Sequence, residues 1–192
     1  FNFEKNIVDF QNASWSLHGF NKKEVNFIGS ELSVKQKNKD YKVSLNFKTK
    51  QIGNLFKIPV MNFLFDERNI SQIKTSFLLD NKKNLFFDDF EIKDKDNIFV
   101  IKNLKVNKDF ELINFAEIKI KTSIDNKINN DFSIINKDSI AIDGKIFDAK
   151  MLLKQLDQEG KNKILRNISK NIEVDIKKII KGPKFPIKNF RL

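Results

Sequence analysis

The chain has 192 residues, 40% of them hydrophobic and 32% charged, with a formal net charge of +11, one histidine and no cysteine. The missing cysteine excludes disulfides, thiolate metal sites and cysteine nucleophiles together, and with His18 as the one histidine the chain offers no His/Cys ligand set and little for a His-dependent triad. The hydrophobic share argues against disorder and twenty phenylalanines supply bulky apolar surface to fold around, while no run approaches the roughly 18 apolar residues of a membrane-spanning helix.

The positive balance ordinarily points to an anionic partner. Here Lys, Asn, Ile, Phe and Asp are all used heavily while Ala, Gly, Pro and Arg are scarce, so the lysines read first as a solvated surface. The length suits one domain with a real core or a piece of a longer sheet. Because the chain opens at Phe1 without a Met and closes on an apolar Phe190-Arg191-Leu192, we expect a segment of a larger protein.

From the N-terminus, Phe1–Phe10 alternates loosely, and Trp15 and His18 read as a strand's packing detail rather than a ligand platform. Val25–Gln36 is broken at Gly29-Ser30, which predicts a bulge or a turn between two short strands. Tyr41, Val43, Leu45 and Phe47 then alternate with Lys42, Ser44, Asn46 and Lys48, a strand with one dry face and one wet face. Gln51–Phe65 crowds its apolar residues around Pro59 and reads as a short helical turn or loop followed by an edge strand. Alternation resumes at Ile73, Thr75, Phe77 and Leu79, and Asp80–Asn84 is a turn cluster.

Further strands are expected over Leu85–Ile92, Ile98–Val106, Phe110–Thr122, Asn130–Asn136 and Ser139–Asp143. Their punctuation is Asp94–Asn97, Asn107–Asp109 and Asn126-Lys127. These strands add Phe90, Ile92, Leu104, Val106, Ile118, Ile120, Phe132, Ile134, Ile140 and Ile142 to the dry side. Short strands joined by tight polar turns describe an antiparallel meander.

Ile140–Leu156 is where this series stops. Ile140 and Ile142 are expected to end a strand and Gly144 to allow a turn with positive φ. Asp148 is placed to cap a helix over Asp148–Gln158, with Phe147 and Leu152 at hydrophobic-staple spacing and an apolar stripe of Leu152, Leu153 and Leu156. A second helical turn at Lys163–Lys170, a strand at Asn171–Asp175, a helix or loop at Ile176–Lys181 and a last strand at Ile187–Leu192 complete the chain. The expected organisation is a β meander over 1–143, a helical interruption over 144–170 and a new β segment over 171–192.

Strand after strand pairs an apolar face with a polar one, and no long helix is available to cover the apolar side. Such strands must close into a barrel, stack as a sandwich, or form an open trough, and an open apolar trough of this length needs a ligand or partner.

At Gly144-Lys145-Ile146-Phe147-Asp148-Ala149-Lys150-Met151-Leu152-Leu153 the chain resembles the AsmA-like family of bacterial envelope proteins, the group that includes the TamB and YhdP types. Gly144, Phe147, Asp148, Ala149, Leu152 and Leu153 match a recurrent G-x-x-F-D-A-R-x-L-L step, with Lys150 in place of Arg. Val174–Ile179 followed by Ile187–Phe190 resembles a next repeat. The resemblance implies a mainly β fold: a long twisted antiparallel sheet curled into an apolar groove, with one or two short helices near 148–170. It also implies a periplasmic location, an inner-membrane anchor outside this segment, transfer of phospholipid between the two membranes, and neither catalysis nor cofactor. On that reading the groove lining for acyl chains is the dry-side set above from Tyr41 to Ile142, Thr75 excepted. The alternative is a closed β-sandwich or barrel scaffold in which the same residues fill a core.

Other chemistry finds little support. Asp66-Glu67 and Asp88-Asp89 read as solvated turns rather than an acid/base pair. The glycines are too scattered for a phosphate loop. Nucleic-acid binding wants exposed aromatics among lysines, whereas the phenylalanines here keep company with Ile and Leu.

Overall fold

A computed structural model describes residues 7–18, 24–37, 40–49, 70–80, 84–107, 112–150, 153, 170–182 and 186–192. The described chain is mainly β and divides into two compact units, Phe1–Ala116 and Glu117–Leu192.

The first unit holds β1 (Ile7–His18), β2 (Glu24–Lys37), β3 (Asp40–Thr49), β4 (Ser71–Leu79), β5 (Leu85–Lys93), β6 (Ile98–Val106) and β7 (Leu112–Asn114). β1 to β6 pair antiparallel in chain order, β7 pairs with β6, and β1 does not return to β6 to close a barrel. Two of the hairpin turns are built by aspartates that mimic a backbone turn. Asp80 accepts hydrogen bonds from Asn84 N at 2.8 Å and Asn84 Nδ2 at 3.0 Å. Asp94, buried between β5 and β6, accepts from Asp96 N at 3.1 Å, Asn97 N at 3.0 Å and Asn97 Nδ2 at 3.1 Å.

The second unit holds β8 (Glu117–Ile124), β9 (Lys127–Asn136), β10 (Ile140–Asp148), β11 (Ile172–Ile180) and β12 (Ile187–Arg191). The β8–β9 turn falls on Asp125 (φ 50°) and Asn126 (φ 60°), one residue before the expected Asn126-Lys127. Two consecutive positive φ values are what a type I′ hairpin requires, and short side chains that tolerate them occupy both positions.

The strand pattern departs from the sequence reading in four places. The meander is interrupted by a parallel pair, β10 with β11. The intervening residues 149–171 are long enough for the crossover that parallel strands need. Phe110–Thr122 is not one strand: β7 and β8 are separate, and Ala116 N donates to Lys102 O at 2.9 Å between them. Gly144 does not turn the chain. It lies inside β10, and among the described glycines only Gly29 has positive φ. Ile176–Lys181 is not a helix or loop either, since β11 runs unbroken to Ile180 between β10 and β12.

Residues 143 and 144, the expected boundary, both lie within β10, and the two compact units divide at Ala116/Glu117. Gly29 (φ 60°) marks a bulge inside one continuous β2 rather than a turn between two strands. Gln51–Phe65, Asp66-Glu67, Leu152, Leu156 and the helical readings beyond Leu153 lie outside the described residues.

The expected helix start is visible at its first turn. Lys150 N donates to Asp148 Oδ1 at 3.2 Å and Leu153 N to Ala149 O at 2.9 Å, the cap and first i→i−4 bond of a helix opening at the end of β10. Asn130, 6% exposed, ties this joint to the sheet. Its Oδ1 accepts from Asp148 N at 2.8 Å, and its Nδ2 donates to Thr122 Oγ1 at 2.9 Å. Asn130→Ala strands the part-buried Asp148 N–H and is expected to cost about 1–3 kcal/mol. Its signature is a lower urea midpoint together with faster hydrogen exchange at the Asp148 amide than at β8.

Candidate apolar binding faces

Registers across β3 to β6 assemble the predicted residues of the first unit on one face. Phe47, Ile73, Ile92 and Phe99 form one cross-strand row, and Leu45, Thr75, Phe90 and Ile101 the next. Val43, Phe77, Phe87 and Leu104 follow, then Tyr41, Leu79, Leu85 and Val106. Leu32 and Val34 of β2 extend the middle rows opposite Leu45 and Val43. Ring contacts tie the rows together, with Phe77 and Phe87 centroids 5.0 Å apart and Phe87 and Phe90 5.9 Å apart.

In the second unit Ile118, Ile134, Ile142 and Val174 share a row. Ile120, Phe132, Gly144, Ile176 and Phe190 share the next. Ile140, two residues from Ile142, lies on the same face.

Burial along the first face is graded. Ile73 and Ile92 are 0% exposed and Phe47 is 6% exposed, with Phe27 edge-on to Phe47 at 4.6 Å. Toward the other strand end Val43, Phe77, Phe87, Leu79 and Leu85 are only half-buried, and Tyr41 is 43% exposed. Val106 is the exception in its row, buried where β7 pairs with β6. One end of this apolar face is thus a packed core, while the other retains accessible hydrocarbon. The second unit repeats the contrast in smaller measure: Ile120 and Ile176 are buried, and Ile118, Ile134, Ile140, Ile142 and Val174 are half-buried.

Alternation alone misses Leu85, Phe87, Phe99, Ile101, Ile176 and Ile179. In β5 and β6 the reason is a bulge carried across both strands. The β4–β5 register slips by one residue at Asp88, and the matching extra residue of β6 is Asn103 (φ 50°), so β5 and β6 stay in step. Leu85 and Phe87 therefore share a face with Phe90 and Ile92 although their parities differ. The same device crosses β10, β11 and β12 at Lys145, Lys177 and Asn189 (φ 51°). A sequence signal existed: Phe87-Asp88-Asp89-Phe90, Ile101-Lys102-Asn103-Leu104 and Ile176-Lys177-Lys178-Ile179 each place two polar residues where strict alternation allows one. Asp88-Asp89 is accordingly an exposed mid-strand bulge, not a turn.

The residues of the G-x-x-F-D-A step have structural roles at this joint. A Cβ on Gly144 would run into the Cβ of Phe132 and lie 2.7 Å from both Asp131 O and Phe132 Cα. Phe147 packs edge-on against Phe132 with centroids 5.1 Å apart, and its expected staple partner Leu152 lies outside the described residues. Ala149 is buried and its N donates to Ile180 O at 2.9 Å.

Trp15 and His18 stand opposite Phe27 and Glu24 in the β1–β2 register. Among the described residues no group of three or more His, Cys, Asp or Glu side chains is placed to hold a metal ion, and no helix is long and apolar enough to cross a membrane. These features define an open, antiparallel-rich β protein with one apolar face in each unit. No family model, curated protein or solved structure matches the chain.

Proposed function

We propose that this chain is a segment of a periplasmic AsmA-like protein that holds phospholipid acyl chains against its apolar β faces and so takes part in lipid transfer between inner and outer membranes. The observation carrying the reading is the graded burial of the first unit's face: beyond the sealed Ile73 and Ile92, the rows through Phe77 and Leu79 keep hydrocarbon within reach of solvent. Each CH₂ moved from water onto such a surface contributes about 0.8 kcal/mol without directional contacts, so a chain is held firmly yet slides between nearly equivalent positions. The acyl chain lies along Tyr41, Val43, Phe77, Leu79, Leu85 and Phe87, and the anchor to the inner membrane is supplied outside this segment. The joint at Gly144–Ala149 supports the family reading, with Lys150 as its departure.

A photocrosslinker placed at Phe77 in protein purified from a bacterial envelope is expected to capture phospholipid, whereas one at Ile73 captures protein alone. Native mass spectrometry of the same material is expected to show copurifying phospholipid. Crosslinks to protein at both positions, with a delipidated chain of undiminished stability, would replace this reading by a filled-core scaffold.

A further inference from the structure

The face opposite the apolar one carries a second feature, confined to the same strand end of the first unit. Registers place Lys35, Lys42, Leu78, Phe86 and Lys105 side by side across β2 to β6. Lys35 and Lys42 stand directly opposite one another, a like-charge pairing that weakens a sheet. Leu78 is 38% exposed, and Lys105 Nζ lies 4.8 Å from the centroid of the Phe86 ring. The next row inward is Asp9, Ser33, Ser44 and Ser76, followed by Asp89 and Lys102, so that an aspartate stands at each side of the three serines. Asp40, two residues from Lys42 and opposite Lys37, is the carboxylate at the outer end.

Ammonium groups flanking an exposed leucine and a phenyl ring, with three hydroxyls in the adjoining row, match the chemistry of a lipid surface bearing phosphate headgroups. The lysines meet phosphoryl oxygens, the serines offer O–H donors to the same oxygens, and Leu78 meets the acyl boundary. A filled core or a purely solvated face requires neither the opposed lysines nor the exposed leucine between Lys42 and Phe86. We infer that this row docks the first unit onto an anionic membrane surface, independently of any acyl chain held on the opposite face. Phosphate charge neutralises the Lys35/Lys42 repulsion on docking, so the sheet tolerates in isolation a pairing that serves it at the membrane.

The test is sedimentation of the full chain with phosphatidylcholine vesicles, with and without phosphatidylglycerol. Binding is expected only with phosphatidylglycerol and is expected to fall as salt rises. The variant combining Lys35→Gln, Lys42→Gln and Lys105→Gln is expected to lose affinity by about fivefold per lysine. A matched variant carrying Lys119→Gln, Lys145→Gln and Lys177→Gln in the second unit keeps it. Equal loss in both variants, or equal binding to neutral vesicles, overturns the inference, and tighter binding to duplex DNA than to vesicles reassigns the row to a nucleic-acid backbone. Because Lys42→Gln removes the like-charge pair, its denaturation midpoint should hold or rise, so lost docking is not lost folding. Lipid capture at Phe77 is expected to survive the first variant, which separates this inference from the acyl-binding proposal.

Discussion

Gly144→Ala is expected to destabilise the second unit by about 1–3 kcal/mol, although alanine is ordinarily the better residue inside a strand. The reason is contact rather than conformation. The added methyl would press on Phe132, whose Cα lies 2.7 Å from that position, and on the backbone oxygen of Asp131 at the same distance. Neither neighbour is the free end of a flexible side chain. Phe132 is also braced by Phe147, so relief requires β9 and β10 to part and costs ladder hydrogen bonds beside Asn130 and Asp148. Urea denaturation followed by circular dichroism measures the loss, and hydrogen exchange locates it on β9 and β10. An unchanged midpoint would mean that Phe132 moves aside at no cost.

Ile73→Ala and Tyr41→Ala separate the two ends of the first apolar face. Ile73 is 0% exposed in the row with Phe47, Ile92 and Phe99, and truncating it leaves a cavity that should cost about 2–5 kcal/mol. Tyr41 is 43% exposed on the same strand face as Phe47, and its truncation in lipid-free protein should change stability by less than about 1 kcal/mol. The order reverses for phospholipid: Tyr41→Ala, at the accessible end, is expected to lower the copurified amount, while material of Ile73→Ala that folds retains it. Denaturation midpoints and native mass spectra of the two variants check both halves. Equal destabilisation would make the whole face a core and remove the physical basis for an acyl-binding role.

Much of the local structure was legible without coordinates. Tyr41, Val43, Leu45 and Phe47 announce β3 because a period of two has one physical meaning when one side is apolar and the other charged. Asp94 to Asn97 announces its turn because aspartate can accept from the amides that follow it. The groove-lining candidates in each unit do share a face, since intact alternation carries a face label along any strand.

The label fails where a residue is inserted. Leu85 and Phe87 sit on the opposite parity from Phe90 and Ile92, and only the doubled polar residues at Asp88-Asp89 hint at the change. Gly144 illustrates a different limit: a sequence shows that a side chain is missing but not which neighbour occupies the space. The parallel pairing of β10 with β11 was likewise hidden, because hydrophobic spacing has no sense of strand direction.

The sequence alone therefore determined that the chain folds as amphipathic strands with polar turns, since alternation, turn chemistry and the lack of a long apolar run are local properties. Only the tertiary structure decided how the bulges keep each face continuous, which end of the first face is sealed at Ile73 and Ile92, and which lysines stand opposed across β2 and β3. Those are facts about residues distant in the chain, settled by register, and a shift of one residue would send every side chain of a strand to the other face.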